Sequence, residues 1–136
     1  MQYDLPSIAD LCEAFGFAIA HRDATSLSIT VSTDVRLLFC NDDADDCLIG
    51  FVGTPWHAHG DIVLASRQAS IELSAVDVVA GLADGQVLIC EGWSAGQLQD
   101  RWLVHRDVFD GQRLLEPDAE LRLRRAVSNI DISSAC

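Results

Sequence analysis

The chain has 136 residues, 49% of them hydrophobic, and a formal net charge of −12 from 21 acidic and 9 basic side chains. A field of that sign repels polyanions, which argues against nucleic acid and anionic lipid as partners and in favour of a basic protein. The apolar fraction excludes general disorder, no run approaches the ~20 apolar residues of a membrane span, and the length suits one domain over residues 1–136.

All nine basic residues are arginine. Without lysine there is neither a Schiff base for pyridoxal phosphate nor a P-loop amine for a nucleotide phosphate. Tyr3 is the only tyrosine and sits near an end expected to fray, which argues against tyrosine acid catalysis. The opening Met1-Gln2-Tyr3-Asp4-Leu5-Pro6 lacks the basic region of a secretion signal, so the expected location is the cytoplasm. Cys12, Cys40, Cys47, Cys90 and Cys136 form no C-x-x-C pair and read as small buried hydrophobes, although Cys40 and Cys47 flank one turn where a regulatory bridge is conceivable.

In chain order, Ile8, Leu11, Cys12, Phe15 and Ile19 share one helical stripe, with Asp4 and Pro6 as start signals and His21-Arg22-Asp23 at the end. Residues 27–32 alternate as a half-buried strand, and 35–40 and 47–52 form two more strands joined through a polar turn at 41–46. After Gly53-Thr54-Pro55 comes Trp56-His57-Ala58-His59-Gly60-Asp61, then a short apolar run at 62–65. Ser74 opens a second helix, with Val76, Val79, Ala80 and Ala83 on one side and Gly85 as its stop. Strands follow at 86–91, 101–106 and 120–126, and the tail 128–136 is expected to fray in part. The predicted fold is α+β, an antiparallel sheet of five or six strands with two helices packed on one face.

In an extended segment, side chains at i, i+2 and i+4 share a face, so His57, His59 and Asp61 would project together. Two imidazoles and a carboxylate suit zinc or ferrous iron with open positions for water or substrate, and His105 is the natural fourth candidate. His57-Ala58-His59-Gly60-Asp61 resembles the H-x-H-x-D signature of metallo-β-lactamase-fold hydrolases, but Ile62 stands where that family has a further histidine. Of the two downstream histidines it also needs, the chain offers His105 alone. The longer segment from Trp56 to Asp61, ahead of a helix and a hairpin, resembles small uncharacterised bacterial proteins with a W-H-x-H-x-D segment. These look like single-domain immunity or accessory proteins, and the resemblance implies no established chemistry. The residues also allow a structural role: Trp56 anchoring a core edge, with the histidines bonded to backbone or to Asp61.

Gly92-Trp93-Ser94-Ala95-Gly96 matches a nucleophile elbow, yet the strand-like 101–106 follows where a helix is required, so a glycine-rich hairpin turn explains it. Asp42, Asp43, Asp45 and Asp46 lack the glycine and distal glutamate of an EF-hand loop. They read as a solvated turn or as an acidic docking patch. Arg122, Arg124 and Arg125 make one basic spot, expected to pair with nearby carboxylates. The expected function is a cofactor-free acidic binding protein, immunity-like, which masks a basic toxin or enzyme through Asp42, Asp43, Asp45, Asp46 and Trp56. The alternative is a small zinc-dependent hydrolase using His57, His59, Asp61 and His105.

Overall fold

The computed structural model describes residues 1–110 and 119–127; the expected frayed tail at 128–136 lies outside them. The first helix, α1 (Leu5–Ala14), is capped by Asp4, whose carboxylate accepts from the Ser7 amide at 3.2 Å, and Pro6 sits in its first turn. The apolar spacing runs on to Ile19, but the helix stops earlier. Gly16 turns left-handed at φ 84°, its amide donates to Glu13 O at 3.0 Å, and the Phe17 amide donates to Cys12 O at 2.9 Å. That pair of bonds closes a helix C-terminus, and only glycine takes this backbone conformation without strain. Ile19, His21 and Arg22 therefore belong to strand β1 (Ala18–Arg22) rather than to the helix.

Strands β1, β2 (Ser26–Ser32), β3 (Val35–Asn41), β4 (Cys47–Phe51) and β5 (His57–His59) form an antiparallel five-stranded sheet in sequence order. Alternation, interrupted by a register shift between Thr30 and Ser32, decides its faces. Leu27, Ile29 and Val31, Val35, Leu37 and Phe39, and Cys47, Ile49 and Phe51 point inward and are buried. Cys40 pairs with Leu48 and Cys47 with Asn41, so the two thiols lie on opposite faces and both are free.

The single sheet expected from sequence is in fact three. β6 (Ile62–Ala65) and β7 (Ser70–Leu73) form a two-stranded ribbon, and β8 (Val87–Ser94), β9 (Gln97–His105) and β10 (Glu120–Arg124) a three-stranded sheet in the order β10-β8-β9. The helices divide among them. α1 packs on β1 and β2, while the second helix, α2 (Ala75–Asp84), packs on β7 and β8, and the two helices touch each other.

Ser74 caps α2 in a capping box with Asp77, and Gly85 ends it at φ 82°. Its buried face is Ala75, Val78, Val79 and Leu82, rotated from the predicted one, and Val76 is exposed. Gly81 sets that rotation: a methyl group there would lie 2.5 Å from Val87 Cγ2, so the helix sits directly on β8. Side chains from both helices and all three sheets join one apolar cluster. A smaller one, Cys90, Trp102 and Val104, lies on the other face of the three-stranded sheet, and Trp56 packs against both.

Tyr3 is fixed rather than frayed. Its amide donates to Asn41 Oδ1 at 2.8 Å and its carbonyl accepts from Asn41 Nδ2 at 2.9 Å. Its hydroxyl donates to Gly60 O at 2.8 Å, and its ring meets Phe39 edge-on. Burial, together with Cys47 nearby, pushes its phenol well above the ordinary range.

Candidate functional site

β5 carries the histidines. Ala58 pairs with Ile49 and follows it inward, so His57 and His59 share the outer face, their rings 5.3 Å apart and nearly perpendicular. His57 Nδ1 lies 3.1 Å from Pro55 O, and because a carbonyl only accepts, that nitrogen carries the proton. His59 Nδ1 lies 2.9 Å from Asp46 Oδ2. The strand stops at His59, and Gly60 turns left-handed at φ 66°. The extended alternation that would align Asp61 with the histidines is thereby broken. His105 stands on β9 in a different sheet. Among the described residues, no three His, Cys, Asp or Glu side chains converge as a metal ion requires.

Most of the acidic turn is engaged locally. Asp42 Oδ1 accepts from the amides of Ala44 and Asp46 at 2.9 and 3.1 Å, and Asp46 Oδ1 accepts from the Cys47 amide at 2.8 Å. Asp45 adopts φ 60°, the left-handed turn position that aspartate tolerates. These bonds fold the turn, and they leave Asp43 the freest carboxylate of the four. The elbow-like Ser94 ends β8, and Ala95 and Gly96, both at positive φ, make the two-residue turn of the β8–β9 hairpin.

A cleft of about 410 Å3 opens between β6 and β9. Trp56, Trp102, Val104, Phe109 and Val63 give it apolar walls, and His105 and Asp110 add polar groups. Both strands contribute consecutive residues, 63–65 and 102–105. Neighbouring side chains on a strand point to opposite faces, so consecutive residues can line one cleft only where it runs along the strand's edge. His105 is buried, and its Nδ1 accepts from the Asp107 amide at 3.2 Å, which leaves the ring proton on Nε2. The Trp56 amide donates to Asp100 Oδ1 at 3.0 Å, and the Arg67 amide to Asp110 Oδ2 at 3.3 Å. These two bonds fasten the residue before β5 to the middle of β9, and the β6–β7 turn to the segment that follows β9. The chain's pattern pointed to Trp56 but not to the cleft: Phe109 lies beyond any periodic element, and Val63 looks outward from a short strand.

Glu91 was also missed. It is 2% exposed, in an otherwise apolar strand. Its Oε2 accepts from Arg101 Nε at 2.7 Å and from Arg124 at 3.3 Å, and its Oε1 from Trp93 Nε1 at 3.2 Å. Burial alone would raise its carboxyl. The bonds from Arg101 and Trp93 and the charges of Arg101 and Arg124 outweigh that and hold it below the usual carboxylate range. Arg124 also reaches Ser32 Oγ at 2.8 Å, joining the three-stranded sheet to the five-stranded one. Arg122 pairs with Glu120 and stacks on Trp93 at 4.3 Å. The basic spot is thus largely an ion-pair junction.

No family profile, curated protein or solved structure matches this chain. No helix among the described residues is long and apolar enough to cross a membrane.

Proposed function

We propose that the protein is a binding protein that masks a basic protein partner, in the manner of an immunity protein acting on a toxin or enzyme in the cytoplasm. One observation carries this reading: a strongly acidic chain presents an aromatic-walled cleft, with Asp110 in its lining, at its surface. Apolar anchors in a pocket supply affinity, and the surrounding charge supplies speed and choice of partner. Trp56 takes part as a cleft wall, and Asp43 contributes to the field.

The test is capture from native-host lysate with wild type and Val63→Lys, a change at an exposed cleft position. Basic proteins retained at 50 mM salt, released by 300 mM and lost with Val63→Lys are the expected result. Capture indifferent to both salt and the variant overturns the proposal.

The zinc-dependent hydrolase has the His57–His59 ring pair in its favour. It requires one zinc per chain after loading and dialysis, lost in His57→Ala.

A further inference from the structure

The outer face of the five-stranded sheet ends in a pair of metal donors. His57 stands opposite Gly50 and His59 opposite Leu48, and Gly50 stands in turn opposite Leu38. Cross-strand partners share a face, so the two exposed histidines sit beside half-buried Leu38 and Leu48, away from the core. Gly50 leaves the first imidazole its place, since a methyl group there would lie 3.2 Å from His57 Cβ.

Hydrogen bonds set both tautomers. His57 Nδ1 donates to Pro55 O at 3.1 Å and His59 Nδ1 to Asp46 Oδ2 at 2.9 Å, because a carbonyl and a carboxylate only accept. Each Nε2 then carries a lone pair, and an Nδ1–H held by a carbonyl or carboxylate is the usual support of a metal-binding histidine. The spacing agrees. Two imidazoles on one tetrahedral zinc, bound at ~2.0–2.1 Å, place their ring centroids roughly 5.2 Å apart. The rings of His57 and His59 lie 5.3 Å apart.

We infer that His57 and His59 are half of a zinc site that a second copy of this chain completes. Two donors leave a tetrahedral ion two ligands short, and among the described residues no third metal-binding side chain converges on them. A two-fold axis through the ion supplies the same two imidazoles from the second copy, so one patch meets itself. Leu38 and Leu48 give that contact an apolar margin. The charge of −12 on each copy opposes their approach, so association should require the ion. Asp46 is a positioning residue that orients the His59 ring. This inference does not depend on the partner-binding reading. It differs from the hydrolase in using neither Asp61 nor His105 and in placing one ion between two chains.

The experiment titrates the untagged full chain, first stripped with chelator, with zinc chloride at about 150 mM salt, where repulsion between the copies is screened beyond ~8 Å. Zinc content after dialysis and mass by light scattering are read together. One zinc ion per two chains, with a doubling of mass that chelator reverses, is the expected result. His57→Ala and His59→Ala should each abolish both effects and leave the thermal midpoint of the zinc-free chain in place. Asp46→Ala should weaken zinc binding by ~10–100-fold, and Asp46→Asn, which keeps an acceptor for Nδ1, should recover most of it. Equal losses in the two Asp46 variants overturn its positioning role. One zinc ion per chain with unchanged mass overturns the bridged dimer and leaves the hydrolase site standing. A chain that holds no zinc overturns both, and a zinc-dependent dimer that survives both histidine variants overturns the ligand assignment.

Discussion

Replacing Glu91 by glutamine keeps the volume and an acceptor for Trp93 Nε1, but removes the charge that Arg101 and Arg124 surround. Arg101 is 13% exposed and Arg124 30%, so Arg101 has little access to water in compensation and Arg124 only part. Breaking a buried ion pair from one side costs about 3–5 kcal/mol. The partial exposure of Arg124 places this one near the lower end, at ~2–3 kcal/mol. With a urea slope of ~1.5–2 kcal/mol per molar, the unfolding midpoint should fall by ~1–2 M at pH 7.

The pH dependence has a definite sign. The carboxyl is depressed in the folded state, so its stabilisation is full above the ordinary unfolded value near ~4.3 and is lost as pH falls through the folded value. Wild type and Glu91→Gln should therefore differ most at neutral pH and converge in acid. Urea titrations at pH 7, 5 and 3 measure both effects. A loss under about 0.5 kcal/mol at pH 7, or a gap that widens on acidification, refutes the account of Glu91 as the junction between two sheets.

Gly81→Ala drives a methyl group to within 2.5 Å of Val87 Cγ2 and should lower stability by ~1–3 kcal/mol, read as a fall in the thermal midpoint. Cys40 is half-buried, whereas Cys12 is buried and its thiol pushed up to about 12 by desolvation. Alkylation of the native protein at pH 8, mapped by mass spectrometry, should modify Cys40 long before Cys12, Cys47 or Cys90. Asn41→Ala removes both bonds to the Tyr3 backbone and should cost ~1–2 kcal/mol; unchanged amide exchange at Tyr3 would contradict its clamped geometry. Ala95→Gly replaces the one non-glycine residue of the β8–β9 turn, at φ 51°, and should leave stability unchanged or raise it, by differential scanning calorimetry.

Local signals in the sequence read well where one residue type determines one geometry. Ser74 and Gly85 mark both ends of α2, and alternation over 27–32, 35–40 and 47–52 marks three strands of the meander. The same periodicity misleads at Phe15 and Ile19, where Gly16 overrides a continuous apolar stripe. Sheet membership was illegible because it depends on which edges meet, and short strands such as β5 and β7 carry too few residues to declare a partner. Trp56 was visible as an anomaly beside two histidines. Its neighbours in the cleft come from residues 63–65 and 102–110, far along the chain, and only the fold brings them together.

The clamp on Tyr3 has a consequence for how the protein is made. Its amide and carbonyl bond to Asn41 and its hydroxyl to Gly60, so Tyr3 finds its last partner only after 57 further residues have left the ribosome. Over that span the phenol lacks its acceptor, and the apolar face of α1 has only the nearby β1 and β2 to cover it.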